Sequence, residues 1–110
     1  MKSKFKFHHN CVFQMTFANG FTVSLSSVGG SYSDNKNVGY FDINRDANEV
    51  EVIEVACWNQ IKDGNFVRLS EYDDVLGYIE TDQVASIIDV IAKAKNEDEI
   101  TEGIAKLGIK

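Results

Sequence analysis

Proline is absent from the 110 residues, so no turn rests on a fixed φ, and glycine and asparagine must shape the reversals instead. Long apolar runs are missing too, and no stretch approaches the ~20 residues that cross a bilayer. The basic start Met1-Lys2-Ser3-Lys4-Phe5-Lys6-Phe7 lacks the apolar middle of a secretion signal, because His8, His9 and Asn10 follow it. A cytoplasmic protein without membrane association is predicted. Cysteine occurs only as Cys11 and Cys57, in strand-like apolar stretches, which reads as buried free thiols. Basic residues are few, and the net charge of −6 argues against general nucleic-acid binding, which needs a cationic face for phosphates.

What is present is an ordinary globular composition. An apolar share of 44% and a charged share of 25% exclude disordered and fibrous classes. The length suits one domain over 1–110, small enough that oligomerisation is a common remedy for a limited core. Charge is unevenly spread. From Asp42 to Asp89 the acids face only Arg45, Lys62 and Arg68, while lysines gather at both ends of the chain. The middle therefore carries a negative field.

Hydrophobic periodicity predicts an α+β fold: an antiparallel sheet of five or six strands over about 4–79, then helices over about 82–95 and 97–107. Around Phe17-Ala18-Asn19-Gly20-Phe21, a two-residue turn would set Phe13, Met15 and Phe17 opposite threonine and serines. A three-residue loop with a left-handed Gly20 pairs Phe17 with Phe21, Met15 with Val23 and Phe13 with Leu25. That register puts all six apolar side chains on one face, and it is the one expected. Glu49 to Trp58 reads as the longest strand, and its change of phase fits either a bulge near Val52-Ile53 or a sheet partly covered on both faces. Lys62-Asp63-Gly64-Asn65 reads as a second hairpin leading to Phe66-Val67-Arg68-Leu69, and short strands are expected at Val38–Phe41 and Val75–Ile79. Thr81 is the expected N-cap of a helix whose stripe is Val84, Ile87, Ile88 and Ile91. Ile100, Ile104 and Leu107 form the stripe of the second.

Several patterns resemble chemistry and fall short of it. His8-His9-x-Cys11 matches no zinc spacing, and adjacent strand residues point to opposite faces. Asp42-x-Asn44-x-Asp46-x-Asn48 begins like a calcium loop, but Ala47 stands where glycine is needed and Ile53 where a bidentate glutamate is needed. Asp73-Asp74 reads as a solvated turn. No nucleophile–base pair or phosphate-transfer motif is present, so a non-enzyme with no metal and no cofactor is predicted.

The best binding candidate is the stretch around Gly29-Gly30-Ser31-Tyr32-Ser33-Asp34-Asn35. Its glycines can free backbone N–H groups for an anion nest, its hydroxyls add donors, and Tyr32 offers a stacking face. The expected ligand-binding set is Gly30, Ser31, Tyr32, Asn35, Lys36, Arg45, Trp58 and Arg68. Arg45 and Arg68 are the only arginines and Trp58 the only tryptophan, types suited to phosphate contact and to stacking.

Phe17-Ala18-Asn19-Gly20-Phe21-Thr22-Val23-Ser24, Gly30-Ser31-Tyr32-Ser33-Asp34-Asn35, Ala56-Cys57-Trp58 and Asp63-Gly64-Asn65 together resemble segments of a set of small uncharacterised tailed-bacteriophage proteins. The resemblance implies phage origin and a role in countering host defence. In architecture, a sheet followed by two helices in an oligomer is similar to phage sponges that sequester cyclic ADP-ribose-type signals of Thoeris defence. The function so implied is sequestration of a small cyclic nucleotide by a homo-oligomer in the host cytoplasm. The competing expectation is an acidic inhibitor, or nucleic-acid mimic, that binds a host defence protein through carboxylates such as Glu49 and Glu51.

Overall fold

A computed structural model describes residues 2–8, 11–28, 31–34, 36, 49–62, 64–71 and 73–109. The expected strand at Val38–Phe41 and the calcium-like segment from Asp42 to Asn48 lie outside them. Five strands form one antiparallel sheet in sequence order: β1 (Lys4–His8), β2 (Val12–Thr16), β3 (Phe21–Ser26), β4 (Ile53–Asn59) and β5 (Val75–Ile79). Helices α1 (Thr81–Lys93) and α2 (Glu97–Lys106) follow. The α+β class and the sheet-then-helices order are as the periodicity predicts.

The β2–β3 hairpin takes the three-residue loop. Phe13 pairs with Leu25 and Met15 with Val23, the N–H of Phe17 bonds the carbonyl of Phe21 at 2.9 Å, and Gly20 sits at φ 92°. One sheet face thus collects the apolar residues of β2, β3 and β4, and both helices lie on it. Phe21, Val23, Val55, Cys57, Ile87, Ile91, Ile100 and Ile104 are buried in one cluster with Val67 and Leu69. Ile100 and Ile104 of the second helix's stripe are thus covered within one chain, while Leu107 stays exposed. The opposite face is polar: Thr16 and Thr22 share a 2.8 Å hydroxyl contact, and Thr16, Thr22 and Ser24 are all buried.

Four boundaries move. The longest strand starts at Ile53 rather than Glu49. Phe66–Leu69 is not a strand and touches β4 through one bridge, Trp58 to Phe66, because β5 occupies the rest of that edge. The N-cap of α1 is Glu80, one residue before Thr81: the Glu80 and Gln83 side chains form a reciprocal capping box. Glutamate with glutamine three residues on satisfies two orphan N–H groups, which Thr81 with Val84 would not. The helices end at Lys93 and Lys106, short of 95 and 107, where Ala94 turns extended and Leu107 caps α2.

Candidate functional site

The β4–β5 ladder carries a bulge, but on β5 and not at Val52-Ile53. Ile53 pairs with Ile79 and Val55 with Leu76, so Gly77 and Tyr78 of β5 stand opposite the single residue Glu54. Such a bulge bends its strand and re-aims a side chain. Tyr78 takes φ 54°, a left-handed conformation that costs a non-glycine residue about 1–3 kcal/mol and persists only where surroundings impose it.

Those surroundings are the loop that carries Tyr32. Its carbonyl accepts the N–H of Tyr78 at 2.9 Å, and its own N–H donates to the Glu54 carboxylate at 2.8 Å. Gly77 makes the approach possible: a Cβ there would lie 2.7 Å from the Tyr32 Cβ. The Tyr32 and Tyr78 rings sit 6.2 Å apart, tilted by 52°, and the Lys36 Nζ lies 5.4 Å from the centre of the Tyr32 ring. Both tyrosines are exposed. Bulge and loop therefore present two phenol rings and one ammonium to solvent, with Glu54 behind them.

Gly29 and Gly30, the glycines of the expected anion nest, lie outside the described residues, and the N–H groups that follow them are engaged within the chain. The N–H of Ser31 bonds Val28, that of Ser33 bonds Ser31, and that of Tyr32 already holds a carboxylate, the protein's own Glu54. Ser31 and Ser33 are buried with their hydroxyls 2.8 Å apart. Among its described residues, what this loop offers a ligand is the Tyr32 ring and the Lys36 ammonium. Gly30, Asn35 and Arg45 lie outside the described residues.

Trp58 and Arg68 stand apart from that cluster. Trp58 donates its Nε1 to Gln60 at 2.7 Å and meets Phe66 edge-on at 6.0 Å. It lies four positions beyond Glu54 on β4, about 13 Å along the strand. Arg68 is exposed and, among the described residues, its guanidinium reaches the carbonyl of Glu71; its own carbonyl accepts the Thr101 hydroxyl. Among the described residues no hydrogen bond or ring contact joins Trp58 or Arg68 to Tyr32 or Lys36. The described members of the expected set fall in three places, of which the Tyr32–Lys36 place is the best assembled.

Gly77, Tyr78 and Glu54 were missed by the sequence reading. A glycine inside the strand pattern Val75-Leu76-Gly77-Tyr78-Ile79 was the available signal, since such a glycine marks a bulge or a close backbone approach. Asp73 proves to be a turn builder, accepting the N–H groups of Asp74 and Val75. Burial, reinforced by the nearby Glu97, pushes the Cys57 thiol up to about 12, which keeps it protonated and unsuited to nucleophilic work.

No family model matches the chain, and no curated protein and no solved structure matches it.

Proposed function

We infer that the chain is a non-catalytic binding protein that takes up a small nucleotide-like ligand at the Tyr32–Tyr78–Lys36 cluster. The observation that carries this reading is the ammonium of Lys36 over the Tyr32 ring, with Tyr78 beside it. Exposed phenol rings provide a stacking surface for a base, and the adjacent cation provides a partner for a phosphate. The left-handed Tyr78 supports the same place, because backbone strain gathers at binding sites. The biological role is the one the phage resemblance implies: a homo-oligomer in the host cytoplasm that sequesters a cyclic-nucleotide signal and so blunts host defence.

Calorimetry against cyclic nucleotides and cyclic ADP-ribose isomers tests it. One ligand should bind the wild-type protein and lose at least tenfold in affinity with Tyr32→Ala and with Lys36→Ala. Flat titrations of folded protein across the panel would sink the reading.

A second reading has its own observation. Asp73 and Asp74 at one end of β5, and Glu80 and Asp82 at the other, are all exposed and form no ion pair among the described residues. Carboxylates that face no cation among the described residues, at both ends of one strand, suit an inhibitor that occupies a basic site on a host protein. Glu49 and Glu51 do not join that row, since both precede β4. Pull-downs from host lysate separate the readings: a partner retained at low salt and released at raised salt favours the inhibitor.

A further inference from the structure

The homo-oligomeric reading above is the premise here, and two surfaces of the chain fit each other as its interface. β1 is the edge of the sheet, and among the described residues nothing pairs with its outer side. The carbonyl of His8 accepts the N–H of Cys11 in the β1–β2 turn, so His8 faces β2. By alternation Lys6 and Lys4 face β2 as well, which turns the backbone groups of Phe5 and Phe7 outward.

The side chains divide the same strand by face. Phe5 is paired with Met15 and Phe7 with Phe13, which puts both on the helix side of the sheet. The helices stop short of them, and they remain 64% and 72% exposed. Their rings lie 5.7 and 5.1 Å from that of Phe13, and a hollow of about 230 Å³ opens beside Phe7. Lys4 and Lys6, also exposed, stand on the opposite face.

This edge selects its partner. Two β1 strands laid side by side would set lysine against lysine, which is destabilising. A strand that alternates acidic and apolar residues would match both faces at once. The chain contains one: Glu49-Val50-Glu51-Val52. Glu49 and Glu51 are exposed, and the segment precedes β4 without joining the sheet. The N–H of Glu51 donates to the Asp34 carboxylate at a bend; once the segment is drawn out as a strand, Val50 and Val52 present their groups the other way.

We propose that residues 49–52 of a second copy add to the β1 edge, their glutamates against Lys4 and Lys6 and their valines against Phe5 and Phe7. The two surfaces differ, so the contact closes only when it is reciprocal between two copies or runs around a ring.

Light scattering on the full chain at tens of micromolar tests this. The wild-type protein should show at least twice the 12.3 kDa of one chain, and added salt should lower that mass. Lys4→Glu with Lys6→Glu should give a monomer, as should Glu49→Lys with Glu51→Lys. An equimolar mixture of the two variants should recover the assembly, because each then offers the charge the other lacks. Phe7→Ser should also give a monomer without any change of charge, and circular dichroism checks that every variant is folded. An oligomer that survives both charge reversals overturns this contact and leaves the homo-oligomeric reading standing, whereas a monomeric wild type overturns both. Swapped variants that stay monomeric when mixed overturn the contact too. So does a monomeric wild type that binds a synthetic Glu-Val-Glu-Val-Glu peptide, which would assign the edge to another protein's strand.

Discussion

Asn19 donates its side-chain amide to the carbonyl of Ile91 at 2.9 Å. The same nitrogen reaches the carbonyl of Ala94 at 2.8 Å, while its Oδ1 accepts the N–H of Phe21. The tip of the β2–β3 hairpin thus bonds carbonyls at the end of α1, that of Ile91 in addition to its bond from the Ala94 N–H, and fixes where the helix sits on the sheet. Asn19→Ala leaves those carbonyls without this donor, and we expect a loss of about 1–3 kcal/mol in urea unfolding. Asn19→Asp should be worse than alanine, since a carboxylate cannot donate and meets the negative end of the helix dipole. Equal stability of the three proteins would refute the clamp.

Asn19 also marks the limit of what could be read from the sequence. Its turn was legible, register included, because one register puts six apolar side chains on one face and the other scatters them. Its bond to α1 was not, because a contact across 72 residues leaves no local pattern. The site divides in the same way. Tyr32 and Lys36 were found from local chemistry, whereas Tyr78 and Glu54 join them only through strand pairing. Trp58 and Arg68 were chosen for residue type, and type says nothing about which end of a strand a side chain occupies. The exposed β1 face was missed for a related reason: an alternating Lys-Phe-Lys-Phe strand does not reveal how far the helices reach.

Gly20 is constrained twice. Its φ of 92° disfavours any side chain, and an added Cβ would lie 2.4 Å from the Cδ1 of Ile61. Gly20→Ala should therefore destabilise by about 1–3 kcal/mol. Ile61 is exposed, so Ile61→Ala alone should stay within about 0.5 kcal/mol of wild type. Combining the two removes the clash and keeps the backbone strain, so the double variant should recover only part of the loss. Full recovery would mean that the left-handed conformation carries no strain, and no recovery that Ile61 is not the obstacle.

The buried Cys57 thiol gives stability a dependence on alkaline pH. Its folded value of about 12 stands above the thiol's ordinary value of 9.0. Between them the unfolded chain releases this proton and the folded chain keeps it. The contribution is intact below pH 9 and falls by roughly 1.4 kcal/mol per unit as pH rises toward 12. Tyrosines and lysines titrate there too, so the comparison that isolates Cys57 is the slope of unfolding free energy against pH. We expect a shallower slope for Cys57→Ala than for wild type above pH 9, whatever the offset between the two curves. Parallel curves would place the thiol in a wetter setting than its complete burial allows.

Gly77→Ala separates the binding cluster from the fold. Backbone conformation is no obstacle at Gly77, but the new methyl would lie 2.7 Å from the Tyr32 Cβ. Tyr32 is itself tied on both sides, through its carbonyl to Tyr78 and through its N–H to Glu54. The methyl must push that loop off the bulge, parting the two rings and carrying Lys36 with them. Neither tyrosine belongs to the buried core, so global stability should fall by only about 1 kcal/mol. The near-ultraviolet circular dichroism of the tyrosines should weaken. In calorimetry the variant should behave like Tyr32→Ala, losing at least tenfold in affinity for the cyclic nucleotide that the wild type binds best. Wild-type affinity in Gly77→Ala, with the tyrosine signal changed, would show that the ring pair is not where the ligand sits.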